Sequence, residues 1–284
     1  LFARIERWTN SATGDAHWRV YTRDNVLSVY GRSASARVVD PEAPTRVFSW
    51  LLEETRDDCG NVARYSYKGE DASSVDAGKA SEANRFFVKP DGSPGFRATA
   101  QRYLKRIQYG NRAMVLDRAE SLSTGDDDYL FEVVFDYGEH VAPADALASE
   151  VSEPDATKSW STRQDPFSTY RSGFEVRTYR LCRRVLTFHR FAELGPAPCL
   201  VRSTDFEYDE GPVVTYLKSV TQAGYVRNRD QAGNFTGKYT RAYLPSLDFG
   251  YVKPAIHDEL TVVDGESLEG IHGGVETSGS QWVD

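Results

Sequence analysis

Arginine is concentrated in one aromatic-rich stretch of the chain, FEVRTYRLCRRVLTFHRF at residues 174–191. Its arginines are Arg177, Arg180, Arg183, Arg184 and Arg190. Guanidinium groups bind phosphates or carboxylates and aromatic rings stack on bases, so the stretch could be a single-strand nucleic-acid surface or a catalytic strand. Arginine that alternates with apolar residues is equally typical of a structural strand with one buried face and one solvent-exposed face.

The other residue types that carry chemistry form no catalytic pattern. The histidines, at positions 17, 140, 189, 257 and 272, include no pair at the i, i+4 spacing of a helical metal site. The sequence has no G-x-S-x-G elbow, no P-loop and no G-x-G-x-x-G turn. The acidic triplet 126–128 is typical of a solvated turn, and the stretch around Asp230 lacks the closing glutamate of a calcium loop. We therefore predict a protein that is not an enzyme, with no catalytic, cofactor-binding or metal-binding residue and no cofactor.

The charge balance bears on the role of the arginines. The net charge of −8 disfavours a nucleic-acid partner, because such domains usually carry a basic excess. Residues 119–157 contain eleven acidic residues and no Lys or Arg, and the arginine-rich segment follows. Opposite blocks often neutralise each other, so we expect Asp or Glu side chains, supplied by 119–157, to contact at least two of the first four arginines.

No apolar run reaches the ~18 residues of a membrane span, so no direct membrane insertion is expected.

Alternating apolar side chains predict an all-β fold of mainly antiparallel strands and hairpins. Residues 129–137 are the clearest strand, with aromatic and valine side chains on one face and Glu132 and Asp136 on the other. Hairpins are predicted at 17–30 and at 46–67, and further strands at 103–109, 200–208, 213–221 and 238–251, the last broken at Pro245. We expect a curved sheet or shell segment with one or two short helices. The aromatic residues predicted to pack in its core are Trp50, Tyr65, Tyr67, Phe131, Phe135, Tyr137 and Phe188.

Three segments are less regular. Residues 75–86 fit a short helix or a surface loop, and residues 141–166 fit an acidic loop. In 174–191 the alternation slips by one residue, as a β-bulge or a turn would cause, and a helix is the alternative. The β-branched and aromatic content favours a strand that carries Arg177, Arg180, Arg183 and Arg184.

Long blocks of the sequence resemble a known family. They are RIERWTNSATGDAHWRVYTRDNVLSVYG at 4–31, VFSWLLEETRDDCGNVARYSYKGED at 47–71, QRYLKRIQYGNR at 101–112, QDPFSTYRSGFEVRTYRLCRRVLTFHRF at 164–191 and CLVRSTDFEY at 199–208. These blocks resemble the SpvB-type amino-terminal region of the B component of bacterial insecticidal toxin complexes (Tc toxins) and of the virulence-plasmid 65 kDa B proteins. The tail at 259–284 resembles the junction before that family's middle region, so we predict a β-rich shell region at 1–258 and a junction at 259–284.

The resemblance implies a non-catalytic structural role in a secreted toxin. In the Tc family this region belongs to a β-shell, or cocoon, that encloses the toxic carboxy-terminal part of the C component, and the B component docks on the pore-forming A component. The implied partners are the remainder of the B component, the C component with its toxic region, and the A component. The implied location is extracellular and directed at a host, with a cytoplasmic stage before release. No signal peptide is visible in 1–284, and the chain is expected to be a segment of a longer protein.

Three other functions stay open from the sequence. In virulence-plasmid relatives a similar region precedes an actin-modifying ADP-ribosyltransferase, which would make this chain an accessory domain. A cryptic transferase or hydrolase would need a pocket that brings Arg177 or Arg180 to a carboxylate of raised pKa. A carbohydrate- or protein-binding β-domain would need exposed rings at Trp8, Trp18 or Trp160.

Overall fold

The computed structural model describes residues 2–116, 125–140, 149–152, 156 and 158–253, together with positions 262, 264–266 and 269. Residues 141–148, 153–155 and 157 of the acidic loop predicted at 141–166 lie outside the described residues, as does most of the junction predicted at 259–284. The chain divides into two compact units, residues 1–249 and residues 250–284. No helix among the described residues is both long enough and apolar enough to cross a bilayer.

The described residues form nineteen β-strands. Their bounds are β1 Ala3–Thr9, β2 Ala16–Thr22, β3 Leu27–Tyr30, β4 Arg37–Asp40, β5 Ala43–Trp50, β6 Leu52–Arg56, β7 Val62–Gly69, β8 Phe86–Val88, β9 Pro94–Phe96, β10 Arg102–Asn111, β11 Tyr129–Asp136, β12 Glu150–Ser152, β13 Phe167–Thr169, β14 Val176–Thr178, β15 Arg184–His189, β16 Cys199–Glu210, β17 Thr215–Arg229, β18 Phe235–Tyr243 and β19 Leu247–Asp248. The predicted all-β fold is confirmed.

Instead of the one or two short helices predicted, the described part of the chain contains four 3-10 turns of three residues and no α-helix. The turns are Ala34–Ala36, Ala83–Arg85, Asp126–Asp128 and Ala192–Leu194. The second of these and the hydrogen-bonded turns before it occupy the region 75–86, where a helix or a loop was expected.

One large curved antiparallel sheet of thirteen strands dominates the first unit. Its order is β1-β2-β3-β6-β7-β10-β11-β15-β16-β17-β18-β12, and β19 pairs with β17. The predicted hairpin turns are present: Asn25 takes a left-handed φ of 58° between β2 and β3, and residues 57–61 connect β6 to β7. The break at Pro245 is also present, because it separates β18 from β19 along the same edge of β17.

The sheet follows the order of the chain with two kinds of exception: β12 pairs with β18 at the far edge, and three hairpin excursions leave the sheet and return. They are β4–β5, β8–β9 and β13–β14, and each is a separate two-stranded sheet. Two of them, β4–β5 and β13–β14, meet in a small apolar cluster that joins Val38 of β4, Val176 of β14 and Ala100, with Phe48 of β5 edge-on to Phe174. These two excursions therefore contact each other.

Two details of the predicted strands are wrong. The hairpin predicted at 46–67 places Trp50 and Leu52 on one strand, two residues apart and so on one face, but they belong to β5 and β6, which lie in different sheets. Residues 174–191 are not one strand, because β14 and β15 also lie in different sheets and 179–183 is a coil between them. The slip in the alternation marks this crossing, which leaves only Arg177 and Arg184 of the first four arginines in strands.

The expected core aromatics differ in burial. Tyr137 is buried, whereas Trp50, Tyr65, Tyr67, Phe131, Phe135 and Phe188 are half-buried. On β11 the more deeply buried face is the one that carries Glu132, Val134 and Asp136. The largest apolar cluster lies further along the sheet, around Leu186 and Tyr239.

Candidate functional site

The arginine segment lies between the excursions and the large sheet, and Arg180 is its most enclosed member. The side chains of Arg180 and Glu70 are both fully buried. Arg180 Nε donates to Glu70 Oε2 at 2.9 Å and its Nη2 donates to Oε1, so the pair is bidentate. Its Nη1 donates to the carbonyl oxygens of Ser73 and Trp160 at 2.7 and 3.0 Å. One guanidinium thus connects three separate segments of the chain.

Arg177 makes a second buried ion pair within the excursions. It contacts Glu82 Oε1 at 2.5 Å, and the other carboxylate oxygen of Glu82 accepts from the hydroxyl of Tyr179. Burial is the main reason that the pKa of Tyr179 is raised, and the nearby Glu82 raises it further. The pair fixes β14 to the turn that precedes β8, as does the contact of Arg85 Nε with Glu175 at 3.0 Å.

Arg184 is paired on the large sheet. Its Nε donates to Asp136 Oδ2 at 2.8 Å, across the register of β11 and β15. Burial by itself would raise the pKa of Asp136, but the contact with His140, the charge of Arg184 and the backbone N–H of Gly138 outweigh it and hold that pKa well below its usual range. The carboxylate is therefore ionised and stabilising at neutral pH.

Asp136 makes the stability of the fold depend on pH, and its lowered pKa sets the direction of that dependence. Its stabilising contribution is complete above the unfolded pKa of about 4 and is lost as pH falls toward the folded value. We expect Asp136→Asn to lower the free energy of unfolding by about 2 kcal/mol at pH 7 and to reduce the loss of stability on acidification. Urea denaturation at about pH 7 and pH 3 measures both effects. The matched control is Asp24→Asn, an exposed turn position where the change should stay within about 0.5 kcal/mol; an unchanged acid limb for Asp136→Asn contradicts the prediction.

The carboxylates come mostly from outside the segment expected to supply them. Each of the first four arginines contacts an acidic side chain, which confirms the expected contact for at least two of them. Only Asp136 lies in 119–157, because the partners of Arg180, Arg177 and Arg183 are Glu70, Glu82 and Glu210. These glutamates carry no local sequence signal, since Glu70 lies 110 residues from its partner.

An aromatic cluster borders the network. The ring of Trp160 is 4% exposed, stacks on Tyr137 with centroids 4.6 Å apart and contacts Tyr103 edge-on at 5.7 Å. Lys68 Nζ lies 4.2 Å from the centre of the Trp160 ring. Of the tryptophans considered for sugar binding, Trp160 is core, Trp18 is half-buried against Trp50, and Trp8 is 42% exposed with Arg19 over its ring.

Two groups of side chains in the described residues are close enough to hold a metal ion together, Asp57 with Asp58 and Cys59, and Asp136 with Glu139 and His140. The first is mostly exposed. In the second, Lys105 and the N–H of Tyr137 bind Glu139, and Arg184 and backbone N–H groups bind Asp136. These carboxylates are already neutralised, so a metal ion would have to displace basic side chains.

An open cleft of about 810 Å³ lies on the large sheet beside the network. Its floor includes Asp136, Arg184 and Asp205, and residues 243–246 form an apolar wall. Neither Arg177 nor Arg180 lines it, so the arrangement required for the enzyme hypothesis is not formed by those two arginines. No sequence pattern indicated Asp205, whose pKa is raised by burial.

The family model described as "SpvB: Salmonella virulence plasmid 65kDa B protein" matches residues 1–191. That range contains β1 to β15 and all three excursions, and so includes the arginine segment with its buried pairs. The chain belongs to the SpvB family. The resemblance read from the sequence blocks is thereby confirmed.

A curated SpvB-family relative is the mono(ADP-ribosyl)transferase SpvB of Salmonella typhimurium strain 14028s, which is 38% identical over 226 residues. The match covers 79% of this chain and 36% of the relative, so the chain spans about a third of that protein's length. The solved structure of the N-terminal domain of effector protein SpvB from strain LT2 is similar with a TM-score of 0.68 and 37% identity, over 79% of this chain and 66% of that one. The matched part of SpvB is thus its N-terminal domain.

Tc toxins provide the second set of SpvB-like structures. This chain matches the crystal structure of TcdB2–TccC3 with a TM-score of 0.71 and 32% identity. The match covers 88% of this chain and 11% of the matched toxin chain. The Photorhabdus luminescens Tc holotoxin pore has a TM-score of 0.69 over the same shares. The same β-architecture therefore occurs in a Salmonella effector and within a much larger toxin polypeptide.

Proposed function

We propose that the chain is a non-catalytic structural segment of a secreted bacterial toxin-complex B component. It would help to form the β-shell that houses a toxic effector and support docking to the pore-forming A component. The observation that carries the proposal is the similarity to TcdB2–TccC3 at a TM-score of 0.71 over 88% of the chain. The topology of the large sheet, most of whose strands pair antiparallel in chain order, also suits a wall.

The chemistry of the buried polar groups supports a structural role. The arginines that could have bound a substrate instead contact carboxylates and backbone carbonyls of the same chain. Buried charges that are paired with one another rigidify a fold. The aromatic residues of the network pack on one another and on Lys68.

The edge of the large sheet fits a larger assembly. β1 has a strand partner on one side only among the described residues, and its side chains Ile5 and Trp8 are 55% and 42% exposed, next to Phe2 at 88%. Such an edge is a ready template for another strand, and isolated proteins usually shield it. A shell in which further polypeptide adjoins β1 would cover these apolar side chains.

A chimaera tests the structural proposal. The corresponding region of TcdB2 would be replaced by residues 1–249 of this chain, and co-purification with TccC3 would be measured by size exclusion. We expect a stable complex, and the control is a chimaera carrying Arg180→Met, which should assemble poorly because the segment is destabilised. A folded chimaera that leaves TccC3 unbound would contradict the proposal.

The higher identity to SpvB, 38% against 32% for TcdB2–TccC3, favours one alternative: an accessory N-terminal domain of an actin-targeting ADP-ribosyltransferase-type protein. In both functions, catalysis belongs to polypeptide outside residues 1–284. The sequence that adjoins this chain in its genome distinguishes them, since the alternative requires a transferase domain and the proposal requires the remainder of a B component. NAD hydrolysis by the purified chain would contradict both.

A further inference from the structure

The outer edge of β1 is regular and uncovered. All seven residues of β1 pair with β2 in one unbroken register, from Ala3 opposite Thr22 to Thr9 opposite Ala16. Among the described residues β1 has no strand on its other side, and six of the eight residues at 2–9 are exposed. The strand contains no proline and no β-bulge, which are two of the features that commonly protect a sheet edge. This edge is therefore open to another strand.

Two hydrogen bonds beside the strand show which backbone groups of β1 point outward. The N–H of Asn10 donates to the carbonyl of Asp15 at 2.8 Å, and this pair continues the β1–β2 register by one step. The N–H of Thr22, which is opposite Ala3, donates instead to Val26 on the β3 side. Because hydrogen-bonded and non-hydrogen-bonded pairs alternate along an antiparallel ladder, the even-numbered residues of β1 bond to β2. The backbone groups that face away from β2 are those of Ala3, Ile5, Arg7 and Thr9.

The charges on β1 select one register for pairing with a second copy of the same strand. Two copies related by a two-fold axis run antiparallel, and their outward groups bond only when odd-numbered residues oppose odd-numbered ones. The axis then passes through a residue, and positions 4 to 7 give the longest overlap. Axes at Arg4, Glu6 or Arg7 place two like charges opposite each other, which is destabilising. An axis at Ile5 brings together two isoleucine side chains that are each 55% exposed.

The residues on either side of Ile5 are complementary in that register. Arg4 lies opposite Glu6 of the second copy, and Phe2 lies opposite Trp8 of the second copy, so each contact occurs twice. Arg4 contacts Glu6 of its own chain through Nε at 3.0 Å, which leaves its terminal nitrogens for the second carboxylate. Phe2 is 88% exposed and Trp8 is 42% exposed. Opposite charges and aromatic pairs across two strands stabilise their pairing.

We propose that β1 pairs with β1 of a second copy of this chain, about a two-fold axis at Ile5, to give one sheet continuous across both copies. The backbone of Ile5 bonds to that of Ile5 in the second copy, and the backbone of Ala3 bonds to that of Arg7. The pairing uses the edge that a surrounding shell would cover, so it belongs to the chain while no other polypeptide adjoins β1. It does not rest on the proposed function.

Disulfide cross-linking of the full chain tests the register. The background variant is Cys59→Ser, which removes the exposed native thiol. Ile5→Cys places two thiols opposite each other, at a Cα separation of about 5.5 Å that suits a disulfide. Arg7→Cys is the matched control on the same face of the same edge, but its two copies lie about 14 Å apart. We expect Ile5→Cys to form the covalent dimer at least about tenfold faster under mild oxidation; equal rates would overturn the proposal.

A mixture of two variants fixes the axis independently. Ala3→Cys and Arg7→Cys lie opposite each other across the axis at Ile5, whereas neither lies opposite its own copy. One variant carries an affinity tag, so that the mixed dimer is recognised by its mass. We expect the mixture to cross-link and each variant alone to remain largely monomeric. A mixture that cross-links no faster than the separate variants would contradict an axis at Ile5.

Sedimentation velocity of the unaltered chain measures the association itself. A short strand interface gives weak binding, so we expect the average sedimentation coefficient to rise between about 10 and about 500 μM. Ile5→Pro removes an outward N–H and spares the β1–β2 bonds, so it should stay monomeric over this range with a melting temperature within about 3 °C of the unaltered chain.

Three results would each contradict the proposal. They are an unaltered chain that stays monomeric, an association that Ile5→Pro does not reduce, and a large fall in the melting temperature of Ile5→Pro, which would show that this N–H is used within the chain. None of them bears on the proposed function, because the chimaera is judged by its complex with TccC3.

Discussion

Arg180→Met is expected to lower the free energy of unfolding by about 3–5 kcal/mol. Methionine fills most of the space but leaves Glu70 buried without its bidentate partner, and breaking a buried ion pair from one side carries a cost of that size. The carbonyl oxygens of Ser73 and Trp160 lose a donor in the same change. Urea denaturation of the full chain at pH 7, monitored by tryptophan fluorescence, measures the effect.

Arg183→Met is the matched control for this change. Arg183 also pairs with a glutamate, Glu210, but both side chains remain partly in contact with solvent, so the loss should stay within about 1 kcal/mol. The double variant Arg180→Met with Glu70→Gln should recover part of the lost stability, because the uncompensated charge is gone. Equal losses for the two arginine variants would show that the buried pair has no special weight in the fold.

Trp160→Ala is expected to destabilise the chain by a similar amount, about 3–5 kcal/mol. The indole is buried between Tyr137 and Tyr103, so truncation removes the packing of a large ring and leaves a cavity between two other rings. Thermal and urea unfolding measure the loss, and the near-ultraviolet circular dichroism of the tyrosines should decrease with it.

Trp8→Ala is the control for Trp160→Ala, because it removes an exposed tryptophan instead of a core one. Trp8 lies on the edge strand β1 with 42% of its surface exposed, so its removal should cost less than about 1 kcal/mol. If Trp160→Ala proved as mild as Trp8→Ala, the aromatic cluster would not support the arginine segment in the way described. The pair of variants also bears on the carbohydrate-binding alternative, which can rely on Trp8 but not on a ring as enclosed as Trp160.

Local patterns predicted the strands well. The alternation in 129–137 gave β11, and turn-forming residues gave the β2–β3 and β6–β7 hairpins, because both signals lie within a few consecutive residues. The same patterns could not tell which face of β11 is more buried. That depends on what covers each face, and the face carrying Glu132 and Asp136 is covered by arginines from far along the chain.

Long-range pairing limited the prediction of the site. The composition indicated that Arg177 and Arg180 need carboxylates, but nothing near Glu82 or Glu70 in the sequence marks them as the partners. The split of 174–191 between two sheets was also hidden, since a crossing between sheets and a β-bulge produce the same one-residue slip. Asp205 shows no pattern at all, because its burial depends on side chains from several strands around a cleft, which no local pattern reports.

The chain-order pairing of the large sheet has a consequence for folding kinetics. Strands β1 to β3 and β6, β7, β10 and β11 pair with neighbours that are near in sequence, so they can assemble progressively while the ribosome is still adding residues. The ion pair between Arg180 and Glu70 joins residues that are 110 positions apart, so it cannot form until the arginine segment has left the ribosome. During that interval the excursion around 70–100 is held only by local contacts. We therefore expect the nascent sheet to form before its excursions are fastened, and to leave residues 70–100 accessible to proteases during that period.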